Sequence, residues 1–502
     1  MSHHTPIKLT LEPALKPTLK PTFKALVLAA LMFGYSLTAQ AFCGFYVGKA
    51  DASLFNEASQ VVIVRDGTKT VMSLLNDFKG DLKEFALVIP VPSVLSREQI
   101  NVGEAKTFAR LDAYSSPRLA EYFDPNPCVQ AAIRPEMMPM RAMAGAVSPA
   151  ATKALGVTVE AEYTVGEYDI VILSASQSDG LETWLTSNGY KMPQGASRAL
   201  QPYIKQGLKF FVAKVNLKEQ AKTGFTMLRP LQFAFESERF MLPIRLGMVN
   251  AKGPQDLIVY ALTRKGRVES SNYRTQPMPA NMDLPPLIKN DFKGFYKTLF
   301  DAQAKKEDYK TVFTEYFWDM GWCDPCAADP LSQDELRKAG VFWLPKPNDA
   351  QPITPGTPSG LGSPATRIMP PSRGGVAQPV MLTRLHVRYT PETFPEDLMF
   401  TETADRANFQ TRYVMRHPWK GNPEECTVEN GKNVMLNYLR QIQTRQEKEL
   451  ETLANLTGWK MEDLRSRSEL GATLRRMTDV AEHFTMLEST RPKTSWWSDL
   501  WK

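Results

Sequence analysis

Short apolar and alternating runs that are typical of β-strands recur along residues 45–344. Gln60–Arg65 and Thr68–Leu75 flank Asp66-Gly67 and predict a β-hairpin, because this pair tolerates the positive φ of a tight turn. Phe85–Pro92 is apolar without interruption and predicts a buried strand. Its two prolines predict a sheet edge or the end of the strand. Further strands are predicted in Val157–Ser174, Lys209–Val215 and 226–264.

Helical periodicity is strongest near the C-terminus. An apolar stripe steps by four and three residues and suits packing against a preceding helix at Val434–Leu456, so a helical hairpin is predicted. The stripe comprises Leu470, Leu474, Met477, Ala481 and Phe484. Other helices are predicted at Ala105–Tyr114, Leu181–Asn188 and Asp291–Tyr316. By contrast, Leu382–Tyr389 alternates as a half-buried strand does, which places His386 and its neighbouring arginines on the polar face.

These elements predict an α+β fold with a mixed or antiparallel β-rich body, peripheral helices and a C-terminal helical hairpin. The body is expected over 42–344, with a subdomain break near 129–150 as an option. Proline and glycine recur over 345–380, which is predicted to be a linker or a long loop. A strand pair and the helical hairpin are expected over 381–490, before a tryptophan-rich tail at 491–502.

The first 41 residues have the features of a secretory signal peptide. Lysines precede an apolar run from Ala25 to Leu37, and Ala39-Gln40-Ala41 forms a small-x-small cleavage site. The apolar run is shorter than the roughly 20 residues that span a bilayer, so a retained anchor is the weaker interpretation. We therefore expect cleavage near Ala41 and a periplasmic or extracellular location.

Half of the formal net positive charge belongs to the predicted signal peptide. It removes four lysines and one glutamate, which lowers the formal net charge from +6 to +3. A mature chain whose positive and negative charges are so nearly equal in number gives no reason to expect nucleic acid as a partner.

All five cysteines follow the predicted cleavage site, in a compartment where disulfides form. Since five is odd, at least one has no partner within the chain. The favoured pairing joins Cys43 to Cys128 and Cys323 to Cys326. It leaves Cys426 free or in an intermolecular bond.

The sequence Trp322-Cys323-Asp324-Pro325-Cys326 has three interpretations. A small structural disulfide is favoured. The second is a thiol–disulfide exchange site, in which Cys323 attacks and Cys326 resolves. Asp324 argues against it, because a negative charge between the cysteines disfavours the thiolate. The third is a structural zinc site with Cys₃His ligands. Its ligands would be Cys323, Cys326, Cys426 and His417.

The tail offers a candidate docking surface. In a helix, Trp496, Trp497 and Trp501 would share one face beside Arg491 and the basic residues near it. Such a face can lie in a membrane interface, so peripheral membrane contact or partner docking through these tryptophans is a candidate role. Packing of the tail on the protein itself is the favoured alternative.

Several separate motifs together resemble one family of exported bacterial proteins, called domain of unknown function 2330. They are Cys43-Gly44-Phe45-Tyr46-Val47, Lys49-Ala50-Asp51-Ala52, Arg65-Asp66-Gly67, Phe85–Pro92, Gly166-Glu167-Tyr168-Asp169, Leu242-Pro243-Ile244-Arg245-Leu246, Trp322–Cys326, Phe409-Gln410, Arg412-Tyr413 and Arg416-His417-Pro418-Trp419. The resemblance covers nearly all of the mature chain. It implies an exported bacterial protein whose cysteines matter, and it gives no substrate.

Familiar catalytic motifs are absent from the sequence. It has no Gly-x-Ser-x-Gly, no His-Glu-x-x-His, no phosphate-binding glycine loop and no dinucleotide fingerprint. No cofactor is expected. We therefore predict a binding or scaffolding protein of the cell envelope with an envelope protein or ligand as partner, rather than an enzyme. A thiol–disulfide redox protein that uses Cys323 and Cys326 is the alternative.

Overall fold

The computed structural model of the chain describes residues 45–49, 55–79, 85–129, 159–174, 178–223, 228–251, 253–322, 329–345, 378–422, 426, 428 and 430–490. The predicted signal peptide, the tail at 491–502 and nearly all of the predicted linker lie outside the described residues.

The described strands all lie between residues 45 and 417. In chain order they are β1 Phe45–Lys49, β2 Phe55–Asp66, β3 Lys69–Lys79, β4 Phe85–Val91, β5 Ile100–Val102, β6 Arg118–Phe123, β7 Val159–Val165, β8 Tyr168–Ser174, β9 Tyr190–Lys191, β10 Lys209–Val215, β11 Leu231–Glu236, β12 Met241–Leu242, β13 Gln255–Thr263, β14 Val268–Ser270, β15 Arg274–Pro277, β16 Met282–Asp283, β17 Thr311–Asp319, β18 Met381–Tyr389, β19 Leu398–Glu402, β20 Phe409–Gln410 and β21 Arg412–His417.

Helices are short until the C-terminal region. They are α1 Ala105–Ser115, α2 Ser178–Ser187, α3 Ala196–Lys205, α4 Leu217–Thr223, α5 Phe292–Lys306, α6 Gln333–Lys338, α7 Gly431–Thr457, α8 Met461–Arg467 and α9 Leu470–Thr490. Short 3₁₀ segments lie at Arg97–Gln99, Arg245–Asn250 and Pro286–Asp291. None of the described helices is both long and apolar enough to cross a membrane.

Two large sheets form the body. One has the strand order β7-β8-β10-β4-β1-β9, and the other has the order β15-β17-β18-β13-β2-β3-β11-β5, with β20 beside β17. Two smaller sheets have the orders β12-β19-β14 and β16-β21-β6. The predicted α+β class is confirmed.

The predicted hairpin forms as expected. β2 and β3 pair antiparallel up to Asp66 and Lys69, and Gly67 has φ 60° in the turn. β4 is buried throughout, as its continuous apolar sequence predicts. It ends at Val91 as predicted, but the sheet-edge alternative is wrong because β4 lies between β10 and β1.

The main core lies between the two large sheets and follows the two-residue period of the strands. Leu87 and Ile89 of β4 face this core together with Val61 and Ile63 of β2. Residues of opposite parity face outward: Val88 packs beneath α2 and α3, and Val62 packs in a cluster with residues of α1 and α6. Strands that are covered on both faces therefore have few polar positions.

The helix predicted over Asp291–Tyr316 is correct only in its first part. α5 ends at Lys306, and Asp308 and Tyr309 then take φ of 51° and 56°, which breaks the helix. The following run of threonine and aromatic residues forms β17, which is nearly buried throughout. Burial between the helices and the larger sheet therefore determines that this segment is a strand.

The chain after the predicted linker continues the larger sheet. β18 pairs antiparallel with both β13 and β17, so it lies in the interior of that sheet. The C-terminal helices are present, and α7 packs against α9 through a cluster that includes Met435, Leu439 and Val480. The described residues all lie in one compact unit.

Candidate ligand-binding groove beside helix α7

Helix α7 presents a buried stripe whose members are three or four residues apart. The helix ends at Thr457, where Gly458 has φ 73° and donates its N–H to the carbonyl of Ala454. The stripe includes three polar residues among the apolar ones. Its members are Met435, Leu439, Ile442, Gln446, Glu449, Leu450, Leu453, Leu456 and Thr457.

A turn that follows β6 faces this helix. Asp124 donates its backbone N–H to His417, which extends the pairing of β6 with β21 by one residue. Asn126 then accepts a hydrogen bond from the N–H of Cys128 at 2.9 Å, and prolines stand on both sides of Asn126. The local sequence therefore restricts this turn strongly.

A disulfide bond fastens the turn to the chain that leads into α7. Cys128 and Cys426 are bonded across a sequence separation of 298 residues, with their Cα atoms 5.1 Å apart. Both cysteines are buried. Gly431 begins α7 close to this bond, and a Cβ there would lie 2.5 Å from the carbonyl oxygen of Cys426.

A groove of about 690 Å³ lies between the turn and α7. Its volume lies in the range of small-ligand sites. The lining combines amide, hydroxyl and charged groups with proline and aliphatic side chains. It consists of Asp124, Pro125, Pro127, Val434, Asn437, Tyr438, Gln441, Ile442 and Arg445.

An ion pair joins the two walls of the groove. The two terminal nitrogens of Arg445 donate to the two carboxylate oxygens of Asp124 at 3.1 and 2.9 Å. Tyr438 donates its hydroxyl to Asp124 at 2.9 Å and accepts the N–H of Trp419 at 2.7 Å. Burial and the bonded carboxylate raise the pKa of Tyr438 to about 12, so its proton stays in place. These bonds fix the two walls relative to each other.

Glu449 lies one helical turn beyond Arg445, and its side chain is only 2% exposed. Its Oε1 is 3.5 Å from Nε of Arg445, and neither of its carboxylate oxygens has a hydrogen-bond partner among the described residues. Burial raises the pKa of Glu449 to about 8; Arg445 opposes this shift, and Asp283 and Asp124 add to it. Glu449 is therefore largely protonated at neutral pH.

Aromatic residues are exposed at the end of β6, beside the groove. Phe123 is 74% exposed and stacks on the ring of His417, with the ring centroids 4.6 Å apart. His417 Nε2 lies 2.9 Å from the carboxylate of Glu121, which also accepts a hydrogen bond from Lys289 at 2.8 Å. Lys289 and His417 lower the pKa of Glu121. His417 thus holds the exposed ring of Phe123 in place by stacking against it.

A second group of charged residues lies between α5 and the larger sheet. Glu315 is fully buried and binds Nε of Arg384 at 2.6 Å, Nδ1 of His386 at 2.7 Å and the hydroxyl of Tyr296 at 2.5 Å. Burial favours the neutral acid, but His386 and Arg384 outweigh it and hold the pKa of Glu315 at about 2. Its carboxylate oxygens are occupied by these partners, so we assign this group to stability.

Glu315→Gln is expected to lower the free energy of unfolding by about 3 kcal/mol, because the buried guanidinium of Arg384 would lose one of its two carboxylate partners and keep only Asp112. Urea unfolding at neutral pH measures this difference. Glu104→Gln is the control: Glu104 pairs with Lys338 at the surface, where both side chains are about half exposed. We expect it to change stability by less than about 1 kcal/mol. Equal losses in the two variants would contradict the assignment.

A smaller cavity of about 390 Å³ lies beside α6 at the edge of the larger sheet. Several of its polar side chains bond to one another or to the protein. Asn101 donates to Gln232 at 2.9 Å, and Gln232 donates to Ser73 at 2.9 Å. The groove beside α7 is larger, so it is the better candidate for a ligand.

The predicted pairing of Cys43 with Cys128 is wrong, because Cys128 is bonded to Cys426. The expectation that Cys426 is free or intermolecular is wrong for the same reason. A bond between residues 298 positions apart leaves no local signal in the sequence.

The zinc interpretation also fails at Cys426. Its sulfur is in a disulfide and offers no thiolate, while His417 is held by Glu121 and Phe123. Within the described residues, no group of three or more His, Cys, Asp or Glu side chains could hold a metal ion.

The other predicted site residues lie outside the described residues. These are Cys43, Cys323 and Cys326, and the tail tryptophans Trp496, Trp497 and Trp501. The choice between a redox-active and a structural Cys323–Cys326 pair stays open, and the membrane role of the tail stays a prediction.

Sequence reasoning missed Asp124, Tyr438, Arg445 and Glu449. Only Glu449 left a usable signal: it stands on the apolar stripe of α7, three residues after Gln446. A charged residue on a buried stripe indicates a partner or a shifted pKa. Asp124 and Arg445 are 321 residues apart, so no local pattern joins them.

The chain matches a known protein family. A family described as an uncharacterized protein conserved in bacteria (DUF2330) matches residues 37–401. Neither a curated protein nor a solved structure matches the chain. The matched residues include the turn at Asp124, and helix α7 follows them.

Proposed function

The chain belongs to the family of uncharacterized bacterial proteins called domain of unknown function 2330, and we propose that it is an exported envelope protein that binds an extended peptide segment of a partner protein. The groove beside α7 is the proposed binding site. Export is supported by the features of residues 1–41 and by the disulfide Cys128–Cys426, a bond typical of oxidising compartments.

The observation that carries this proposal is the chemistry of the lining. Asn437 and Gln441 are exposed on the groove face of α7, and Asn437 Oδ1 accepts a hydrogen bond from Arg440 at 2.9 Å. A side-chain amide can both donate and accept hydrogen bonds, as a peptide backbone requires. Val434, which is partly exposed, offers apolar contact beside them. The mixture suits a segment that presents peptide groups and side chains in alternation.

The length of the groove fits the same ligand. From Val434 to Arg445 the helix rises by about 16 Å, which corresponds to about five residues of extended chain. The ion pair of Asp124 with Arg445 joins the turn to α7, and the disulfide ties the same turn to the chain that leads into α7. Walls that are fixed before binding lower the entropic cost of association.

The test begins with peptides selected from a random library on the purified mature protein. A selected peptide is labelled, and its affinity is measured by fluorescence anisotropy. Gln441→Trp would fill the groove, so we expect it to weaken binding at least about tenfold, or about 1.4 kcal/mol.

The matched control is Glu451→Trp. Glu451 is exposed on the same helix but is not among the lining residues. We expect the affinity of this variant to equal that of the unmodified protein. A library that yields no binder, or a peptide that binds both variants equally well, would contradict the proposal.

A further inference from the structure

Strand β6 is the end strand of the sheet β16-β21-β6. It runs parallel to β21, in register from Arg118 opposite Arg412 to Phe123 opposite His417. Among the described strands, β21 is the only one that pairs with it. The other edge of β6 therefore presents main-chain groups that no described strand uses.

The hydrogen bonds at the two ends of β6 identify those groups. Arg118 donates its N–H to Thr411, and Asp124, six residues later, donates its N–H to His417. In a parallel strand, alternate residues direct both their N–H and their C=O to the same neighbour. The even-numbered residues face β21, so the main-chain groups of Leu119, Glu121 and Phe123 face away from it.

Two exposed aromatic side chains lie beside this edge. Phe123 is 74% exposed and is held flat against His417. Tyr122 is 44% exposed on the opposite face of the strand, where the guanidinium of Arg416 lies 5.4 Å from its ring centroid. Exposed rings that are fixed in this way are typical anchors of peptide interfaces.

The edge of β6 leads directly into the groove. Phe123 is the last residue of the strand, and Asp124, the next residue, lines the groove. We propose that the peptide in the groove continues as an added β-strand along β6 and bonds to the main-chain groups of Leu119, Glu121 and Phe123. This proposal rests on the proposed function, and it identifies the ligand as a β-forming segment of at least about ten residues.

The test is an N-methyl scan of the selected peptide, in which each main-chain N–H is removed in turn. An added strand directs every second N–H toward β6, so we expect losses of at least about tenfold at alternate positions over four to six residues, with little change between them. The scan alters only the peptide, so the folding of the protein is not at issue. Phe123→Ala should weaken binding in the same assay, and Phe342→Ala, at another exposed aromatic residue, should not.

If N-methylation weakened binding equally at all positions, or at positions that do not alternate, the β6 proposal would be overturned. If Gln441→Trp still weakened binding in that case, the groove would remain the binding site and only the added strand would be wrong. If Gln441→Trp had no effect, the proposed function itself would fail. A dimer in sedimentation experiments that Phe123→Ala dissociates would show that a second copy occupies the edge, and would also overturn the proposal.

Discussion

Joint replacement of Cys128 and Cys426 by alanine is expected to lower the free energy of unfolding by about 5 kcal/mol. The bond closes a loop of 298 residues, and the chain-entropy model gives about 5 to 6 kcal/mol for a loop of this length. The loss of the bond would also release the turn that carries Asp124 from the start of α7. Urea unfolding of the oxidised protein and the double variant measures the difference.

Single replacements provide the control for this result. Either cysteine alone cannot form the bond, so Cys128→Ala, Cys426→Ala and the double variant should lose nearly the same stability. Alkylation before unfolding prevents the remaining thiol from pairing elsewhere. If the stability loss of the double variant equalled the sum of the losses of the two single variants, a shared bond would be contradicted. A loss below about 1 kcal/mol in the double variant would contradict it as well.

Glu449→Gln is expected to stabilise the protein increasingly as the pH rises. Burial raises the pKa of Glu449 from its ordinary value of 4.5 to about 8, so the folded chain binds more protons than the unfolded chain between these values. The stability that protonated Glu449 contributes is therefore complete below pH 4.5 and is lost as the pH rises through about 8. Glutamine keeps the shape of the neutral acid and does not ionise. The difference should grow from near zero at pH 4 to the order of 4 kcal/mol at pH 9.

Unfolding of both proteins at pH 4, 7 and 9 measures this change. Glu451→Gln is the matched control, because Glu451 is exposed on the same helix. Its effect on stability should be small and nearly independent of pH. A Glu449→Gln effect of the same size at pH 4 and pH 9 would show that folding does not change the proton affinity of Glu449.

Local features of the fold could be predicted because single segments determine them. Asp66-Gly67 permits the positive φ of its turn, and the continuous apolar run of β4 reflects burial on both faces. The apolar stripes of α7 and α9 likewise predict that the two helices pack together. In each case, neighbouring residues carry the whole signal.

Features that depend on distant partners could not be predicted. Arg384 and His386 were expected on a polar face, but Arg384 is buried between the carboxylates of Glu315 and Asp112, and Phe300 of α5 stacks on His386. The groove depends on the contact of Asp124 with Arg445, which are far apart in sequence and near in space. Sequence reasoning recognised His417 as a candidate, but not its role as support for Phe123.

The central claim is that a peptide binds in the groove beside α7, and photo-crosslinking tests it most directly. The selected peptide would carry benzoylphenylalanine at single positions, and mass spectrometry would locate each crosslink after irradiation. We predict crosslinks at residues 124–127 and 434–445, the two walls of the groove. Crosslinks that concentrate near Phe342 and α6, at the smaller cavity, or that spread evenly over the surface would contradict the account.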